Sequence, residues 1–247
     1  MTSRAEFLSR IRAEIKQTAG LFPARVAERP SRPRDRAETL CRELAERWRE
    51  TLERFRQEFE RAGGVFHDVA HSHDVPDVVS TIARERHAGR LIAWHPRALG
   101  VDWSGPLAAR GLVTRLMPAA GLDGAAERKE MRTVIADADL GLTGVDLAIA
   151  ETGSLVLRSG SGRPRSTSLL PPYHVAVFDH RALVESLEQV GVFLEAWHEG
   201  ETPTEHGGVI NVITGPSRTA DIELTLTRGV HGPKEVHAIF VEQGIGD

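Results

Sequence analysis

Apolar side chains recur every three to four residues in the segment before Gly63-Gly64, which is the period of an amphipathic helix. They form one stripe that consists of Leu40, Leu44, Trp48, Leu52, Phe55 and Phe59. Asp35 is placed to cap the start of this helix, with Glu38 at the capping-box position, and the two glycines end it. The pattern therefore predicts a helix of about five turns.

The stretch before this helix predicts an appendage rather than a core. Residues 4–19 fit a short helix that ends near Gly20, and residues 29–34 fit an exposed linker, because their prolines lack a backbone donor. The stripe can pack on its own chain or on a partner subunit. We favour its own chain, since surface helices usually bury their apolar face there. We divide the chain into an N-terminal helical extension, residues 1–64, and an α/β domain, residues 65–247.

After the double glycine, short apolar runs alternate with helical segments of about a dozen residues. Strands are predicted at residues 65–69, 90–94, 113–117, 140–149, 154–157, 175–178, 209–213 and 235–241, and helices near residues 75–87, 124–136 and 181–197. Helical crossovers indicate an α/β fold with a mostly parallel sheet covered by helices on both faces. Ligands of such sheets bind at loops that follow the carboxyl ends of the strands.

Two connections depart from this pattern. Residues 150–153 are too few for a helical crossover and predict a hairpin turn or a sharp bend. Residues 158–172 form a long loop rich in glycine, serine and arginine, a length at which loops are often functional or mobile. Its Arg158, Arg163 and Arg165 could close over an anionic ligand, or they could only keep the loop soluble.

Composition narrows the function classes. No stretch approaches the roughly 18 consecutive apolar residues of a membrane helix, and the first residues lack the apolar core of a secretory signal, so we expect a soluble, cytoplasmic protein. Basic residues outnumber acidic ones before residue 65, but their signs are interleaved, which argues against nucleic-acid binding. The single cysteine, Cys41, cannot form an internal disulfide or hold an iron–sulfur cluster or a zinc site.

Residues 214–221 carry the groups that an anion site needs. They follow an apolar segment that we interpret as a buried strand, and turn amides there can bind a carboxylate or phosphate. The side-chain donors are the hydroxyls of Thr214, Ser217 and Thr219 and the cation of Arg218. Gly215 would let the backbone approach a ligand, and Asp221 would orient the hydroxyls or bind a ligand hydroxyl. The alternative is an ordinary turn with a capping Ser217 or Thr219. It is not a nucleotide P-loop, because no lysine follows the glycine.

Glu151 and His231 are the candidate acid–base groups. Glu151 lies where an apolar run meets solvent, which suits a general base or, equally, a turn carboxylate that accepts backbone N–H bonds. His231 lies in a glycine-flanked turn, where a histidine can exchange protons at neutral pH. The group His67, His71 and His73 lacks the glutamate of a metalloprotease motif, so we expect a solvated loop and no metal site.

Four ordered motifs resemble the LUD-domain family, specifically its lactate utilisation protein C group. They are AETGSLVL at 150–157, SLLPPYH at 168–174, TGPSRTADIE at 214–223 and GVHGPKEVH at 229–237, and the resemblance covers roughly residues 65–242. It implies a fold like the sugar-phosphate isomerase and CoA-transferase superfamily, and a role in oxidising L-lactate to pyruvate with two iron–sulfur partner proteins. The positions that match its patterned segments are Glu151, Thr152, Gly153, His174, Thr214, Gly215, Ser217, Thr219, Asp221 and His231.

Three hypotheses follow from the residues and the resemblance together. The first is a carboxylate-binding subunit of a lactate-oxidising complex, without a cofactor of its own, in which Glu151 or His231 handles the hydroxyl proton and partners hold the iron–sulfur clusters. The second is a stand-alone phosphosugar isomerase or acyl-CoA transferase, with Glu151 as base or nucleophile. The third is a non-catalytic assembly or regulatory factor that binds partners through the stripe of residues 40–59.

Overall fold

We describe the protein from a computed structural model, in which residues 4, 6, 8–10, 32–120, 124–198, 206–220 and 226–246 are placed. The helices are α1 Pro33–Arg61, α2 Val75–Glu85, α3 Pro96–Leu99, α4 Ser104–Ala109, α5 Ala125–Ala136, α6 Ser166–Leu169 and α7 Leu187–Trp197. The strands are β1 Val65–Val69, β2 Arg90–Ala93, β3 Val113–Leu116, β4 Leu140–Gly144, β5 Leu147–Ile149, β6 Ser154–Gly160, β7 Tyr173–Asp179, β8 Leu183–Val184, β9 His206–Ile213, β10 Arg218–Ala220, β11 Leu226–Arg228 and β12 Glu235–Val241. Residues 4, 6 and 8–10 are helical, and the rest of the helix predicted at 4–19 lies outside the described residues.

Six strands form the main sheet in the order β1-β12-β7-β4-β2-β3, and every neighbouring pair is parallel. The α/β prediction is therefore confirmed. Successive side chains of a strand enter different clusters: Leu91 and Ala93 join the largest apolar cluster, whereas Ile92 packs with Ile135 of α5. Both faces of the sheet are thus covered, which is why its central strands are buried along most of their length and mostly apolar.

Four further strands form a second sheet, in the order β8-β5-β6-β9. The predicted strand at 140–149 is wrong as one element, since the chain leaves the main sheet after Gly144 and re-enters the second sheet at Leu147. The hairpin at residues 150–153 is confirmed, because β5 and β6 pair antiparallel. Strand β9 lies at the edge of this sheet, so Val209 and Val212 are 39% and 56% exposed, which corrects the interpretation of a buried strand.

Two helix starts also differ from prediction. Helix α1 begins at Pro33, and Arg32 precedes it in a left-handed conformation without a side-chain cap, so Asp35 is not the N-cap. Helix α7 begins at Leu187 rather than near residue 181, because the two-residue strand β8 pairs with β5 first. Proline at the first position of α1 needs no backbone donor, which favours a start there.

The apolar stripe of α1 packs on the protein's own body, as expected. Phe55 and Phe59 are fully buried in the largest cluster, and Phe55 meets Phe178 of β7 edge-on with ring centroids 5.3 Å apart. Leu44 joins a second cluster with α7 and β5. The stripe is therefore not available as a binding surface for a partner, as the assembly-factor hypothesis requires. No helix in the placed part of the chain is long and apolar enough to cross a membrane.

Candidate functional site

Three hydroxyls from two motif segments form a chain at the end of α1. Thr152 Oγ1 donates to Ser154 Oγ over 2.8 Å, and Ser154 Oγ lies 2.5 Å from Thr214 Oγ1. The antiparallel register of β6 and β9, which pairs Leu155 with Ile213, places Ser154 beside Thr214. Ser154 is buried and Thr214 is exposed, so the chain of hydroxyls runs outward to solvent. We name Thr152, Gly153, Ser154, Thr214, Gly215 and Arg218 the helix-end cluster.

The glycines of the helix-end cluster are in contact with α1. Gly153 has φ +59°, and a Cβ there would overlap the backbone of Glu58 and Phe59. Gly215 has φ +75°, and a Cβ there would lie 2.6 Å from the carbonyl oxygen of Ala62. Positive φ and close backbone approach both favour glycine. The neighbour that requires Gly215 to be small is therefore the end of α1, where the sequence had suggested a ligand.

Arg218 caps the carboxyl end of α1. Its Nη2 donates to the carbonyl oxygen of Ala62 over 2.9 Å, while the side chain stays exposed. A cation at this position satisfies an orphan carbonyl and interacts favourably with the helix dipole. Of the other predicted residues of this segment, Thr219 lies on β10 without a described side chain, and Asp221 lies outside the described residues.

The turn that carries Ser217 is tied to the segment around His231. The Ser217 amide donates to the carbonyl of Pro233 over 2.9 Å, and the His231 amide donates to Ser217 Oγ over 3.3 Å. The Lys234 amide in turn donates to the carbonyl of Pro172 over 2.7 Å. Three of the four motif segments thus meet here, and the fourth joins through the hydroxyl chain. The His231 side chain is exposed.

Glu151 occupies a different position, at the start of α7. Its Oε2 accepts from the amide of Leu187 over 2.9 Å, and its own amide donates to the carbonyl of Glu185 over 3.0 Å. A carboxylate at a helix amino terminus is stabilised by the unpaired amides and the helix dipole. Glu151 is thus a turn carboxylate that accepts a backbone N–H bond, which is one of the two roles expected from the sequence. Within the described residues, no contact joins Glu151 to His231.

His174 lies inside the main sheet, on β7. Its Nε2 is 2.8 Å from Thr143 Oγ1, and its buried Nδ1 has no partner among the described residues. Burial, together with the nearby His237, lowers the pKa of His174 to about 3, so the ring is neutral at ordinary pH. This histidine is therefore remote from solvent and does not take part in the hydroxyl chain.

The expectation that His67 lies in a solvated loop is wrong, because His67 lies on β1 and belongs to a second, partly buried polar group. His67 Nε2 lies 3.1 Å from His237 Nδ1, His237 Nε2 lies 3.2 Å from Glu235 Oε2, and Arg86 Nε donates to the same carboxylate over 2.9 Å. Burial lowers the pKa of His67, and burial with the neighbouring His67 lowers that of His237 to about 4. Across the placed residues, no group of three or more histidine, cysteine or acidic side chains is arranged to hold a metal ion.

The main sheet carries a cavity of about 370 Å³ where β4 and β7 end, which we name the strand-end cavity. Its charged lining consists of Arg97, Asp146, Asp179 and Arg181. The loop arginines predicted to close over an anion bind Asp146 instead, since Arg158 Nε and Arg163 Nη1 donate to it over 2.7 and 3.2 Å. Arg165 is exposed just before α6. Sequence reasoning missed Arg97, Asp146 and Asp179, although each follows or ends a strand of the parallel sheet.

Comparison with known proteins adds family information to this geometry. A model of the LUD domain matches residues 52–241. A lactate utilization protein C of Exiguobacterium sp. is 30% identical over 255 aligned positions, which cover 98% of this chain and 96% of that protein. The lactate utilization protein C of Halalkalibacterium halodurans is 44% identical over 107 residues, and that of Shouchella clausii is 41% identical over 106 residues. These two matches span less than half of each relative, 45% and 44% of its length.

A solved structure has the same fold. The crystal structure of a DUF162 family protein from Deinococcus radiodurans superposes with a TM-score of 0.51 at 20% identity and covers 78% of this chain and 98% of that one. At this identity the likeness concerns the fold alone. The family model, in contrast, spans most of the chain, from the second half of α1 to the end of β12. The chain therefore belongs to the LUD-domain family.

Proposed function

We propose that this chain is the carboxylate-binding subunit of an L-lactate utilisation system and that it works with iron–sulfur partner proteins. Its likeness to lactate utilization protein C along nearly the whole chain supports the lactate part of the proposal. Oxidation of lactate to pyruvate releases an electron pair and two protons. A chain with one cysteine cannot hold an iron–sulfur cluster, so in this proposal the electrons pass to clusters on the partners.

The observation that carries the proposal is the chain of hydroxyls that ends at Thr214 beside Arg218. The Arg218 guanidinium binds the Ala62 carbonyl, and Gly215 lies against the same carbonyl. Because Thr214 precedes Gly215 in the chain, the side chains of Thr214 and Arg218 border the same exposed surface. A guanidinium has five N–H donors and forms paired bonds with a carboxylate. In the proposed complex, Arg218 and Thr214 hold the carboxylate of lactate, while Ser154 orients the Thr214 hydroxyl.

His231 is the better candidate for handling the hydroxyl proton of lactate. Its side chain is exposed, and its backbone is fixed to the Ser217 turn of the same segment. Glu151, in contrast, has a carboxylate oxygen engaged by the first amide of α7. The proposal therefore assigns the acid–base step to His231 and a structural role to Glu151.

The test is direct binding of L-lactate and pyruvate, measured by calorimetry on the chain alone and on its complex with the partner proteins. The wild type should bind at least one of the two acids, and Arg218→Gln should weaken binding about tenfold, since a charge-assisted bond is lost. Arg54→Gln removes an exposed charge from the solvent side of α1 and should bind like the wild type. If neither acid binds in either setting, or if Arg218→Gln binds as tightly as wild type, the proposal is wrong.

The transferase hypothesis makes a separate prediction about Glu151. A nucleophilic carboxylate would form a covalent adduct when the protein is incubated with an acyl-CoA, and mass spectrometry would find the added mass on Glu151. We expect no adduct, because this carboxylate already accepts the Leu187 amide.

A further inference from the structure

Both large sheets of this protein end in strands whose outer backbone groups could pair with another chain. These edge strands are β1 and β3 in the main sheet and β8 and β9 in the second sheet. Strand β9 is the longest of the four, with eight residues from His206 to Ile213. It pairs with β6 alone among the placed strands, so its outer row of N–H and C=O groups has no strand partner in the described part of the chain.

The other three edges carry features that discourage the addition of a strand. Strand β1 exposes Asp68 and β3 exposes Arg115, and a charge on an edge strand opposes pairing with another chain. Strand β8 has only two residues. Strand β9, in contrast, has no charged residue and no proline from Gly207 to Ile213. Of these four edges, β9 is therefore the one that is open to pairing.

Strand β9 also exposes one valine on each face of the second sheet. Val212 lies opposite Val156 in the register with β6, and it shares that face with Ile210, which packs in the second apolar cluster. Val209 lies on the other face together with Ile213, which packs against the largest cluster. Val212 is 56% exposed and Val209 is 39% exposed. A strand added at this edge would cover both valines.

The sequence of β9 is complementary to itself. Residues 209–213 read Val-Ile-Asn-Val-Ile, which is apolar on both sides of Asn211. In an antiparallel pair of two copies centred on Asn211, Val209 lies opposite Ile213 of the partner subunit, and Ile210 lies opposite Val212 of the partner subunit. Directly opposite side chains point to the same face, so each pair brings apolar groups together and no charge meets a like charge. A two-fold interface requires this self-complementarity.

We propose that β9 pairs antiparallel with β9 of a second copy of this chain, about a two-fold axis at Asn211. The four strands of each second sheet then form one continuous sheet of eight strands. The assembly closes as a dimer, because each copy has one such edge and the pairing uses both edges. This interface goes beyond the lactate proposal, which concerns ligand binding at the helix-end cluster and His231.

Light scattering after size-exclusion chromatography, over a series of protein concentrations, tests the interface. The wild type should reach twice the mass of one chain. Val212→Lys should stay at the mass of one chain, because the ammonium group would lie against Ile210 of the partner subunit. Val113→Lys is the matched control, since Val113 is 60% exposed on the edge strand β3, and it should dimerise like the wild type. A dimeric Val212→Lys overturns the inference. So does a monomeric wild type, which would leave the edge to a strand of a different protein.

Disulfide trapping tests the position of the axis without an added charge. Cys41→Ser first removes the one cysteine of the chain. In that background, Asn211→Cys should cross-link two copies in oxidised glutathione, because the Cβ atoms of directly opposite residues lie about 5 Å apart, close to disulfide range. Val209→Cys should not cross-link, since its two copies would lie four residues apart along the strands, about 14 Å. The inference is refuted if Asn211→Cys stays monomeric under these conditions, or if Val209→Cys cross-links as readily.

Discussion

The helix-end cluster and the strand-end cavity use their polar groups differently. In the helix-end cluster, Gly153 and Gly215 contact the backbone of α1, and Arg218 binds the Ala62 carbonyl. In the strand-end cavity, both carboxylates are paired with arginines, whereas the guanidinium of Arg97 forms no hydrogen bond or ion pair with a residue that the structure describes. The first region is rich in family motifs and mostly contacts the protein itself, whereas none of the residues that line the second belongs to the four motifs.

The contrast shows that the residues of a family motif can be required by packing inside the protein and not only by a ligand. The carboxyl end of α1 presents carbonyls without helical partners, and two turns, at Gly153 and at Gly215, approach it closely. Only glycine fits that approach at positive φ, and only a cation or an N–H satisfies the carbonyls. The strand ends of the main sheet place no such demand on Arg97.

The largest expected effect is at Gly153, because its neighbours are backbone atoms that cannot move aside. We expect Gly153→Ala to lower the free energy of unfolding by about 3 kcal/mol or more, from positive φ and overpacking combined. Gly191 lies exposed within α7 with open space at its Cβ position, so Gly191→Ala should raise stability by about 0.5–1 kcal/mol. Urea unfolding measures both, and a loss below about 1 kcal/mol for Gly153→Ala would contradict the packing explanation.

The next effect concerns pH and the buried histidines of the main sheet. In the unfolded chain a histidine has a pKa of about 6.5. In the native protein burial lowers the pKa of His174 to about 3 and that of His237 to about 4. Below pH 6.5 the unfolded chain binds protons that the native protein does not. Stability should therefore fall with pH from 6.5 downward, by about 2 kcal/mol per histidine at pH 5, and stop falling near each native pKa.

Urea unfolding at pH 7 and pH 5 tests this dependence. His174→Gln should remove the share of one histidine, about 2 kcal/mol, from the loss between the two pH values. His87→Asn is the matched control, because His87 is exposed and asparagine tolerates its positive φ of 52°. The burial explanation fails if His174→Gln and His87→Asn keep the same pH dependence as the wild type.

The sequence predicted those helices and strands whose bounds are set by the local pattern of apolar residues. It failed where contacts with residues distant in the sequence set the bounds. The strands at 65–69 and 235–241 have the predicted bounds, since apolar runs between turns determine them locally. The run 140–149 reads as one strand, and it divides because Asp146 is held by Arg158 and Arg163 from a later segment. Strand β8 has two residues and forms only because β5 is beside it, so no local pattern reveals it.

The candidate sites show the same limit. Thr214 was predicted from its own segment and Thr152 from the family resemblance, whereas Ser154 was not predicted. The hydroxyl chain that joins the three depends on the register between β6 and β9. The neighbour of Gly215 could not be read from spacing, because the end of α1 is about 150 residues earlier in the chain. Arg97 had one usable signal, its place in the first short helix after a strand of a parallel sheet.

The smallest effect compares the two arginines by stability alone, without any ligand. Arg218→Gln should lower the free energy of unfolding by about 1 kcal/mol, because the Ala62 carbonyl loses a charged donor at a helix end. Arg97→Gln should stay within about 0.5 kcal/mol of the wild type, since an exposed side chain without a described partner contributes little. Urea unfolding in a buffer free of phosphate and carboxylates measures both. A loss at Arg97 as large as that at Arg218 would mean that the strand-end arginine also holds the fold together, and the contrast between the two regions would disappear.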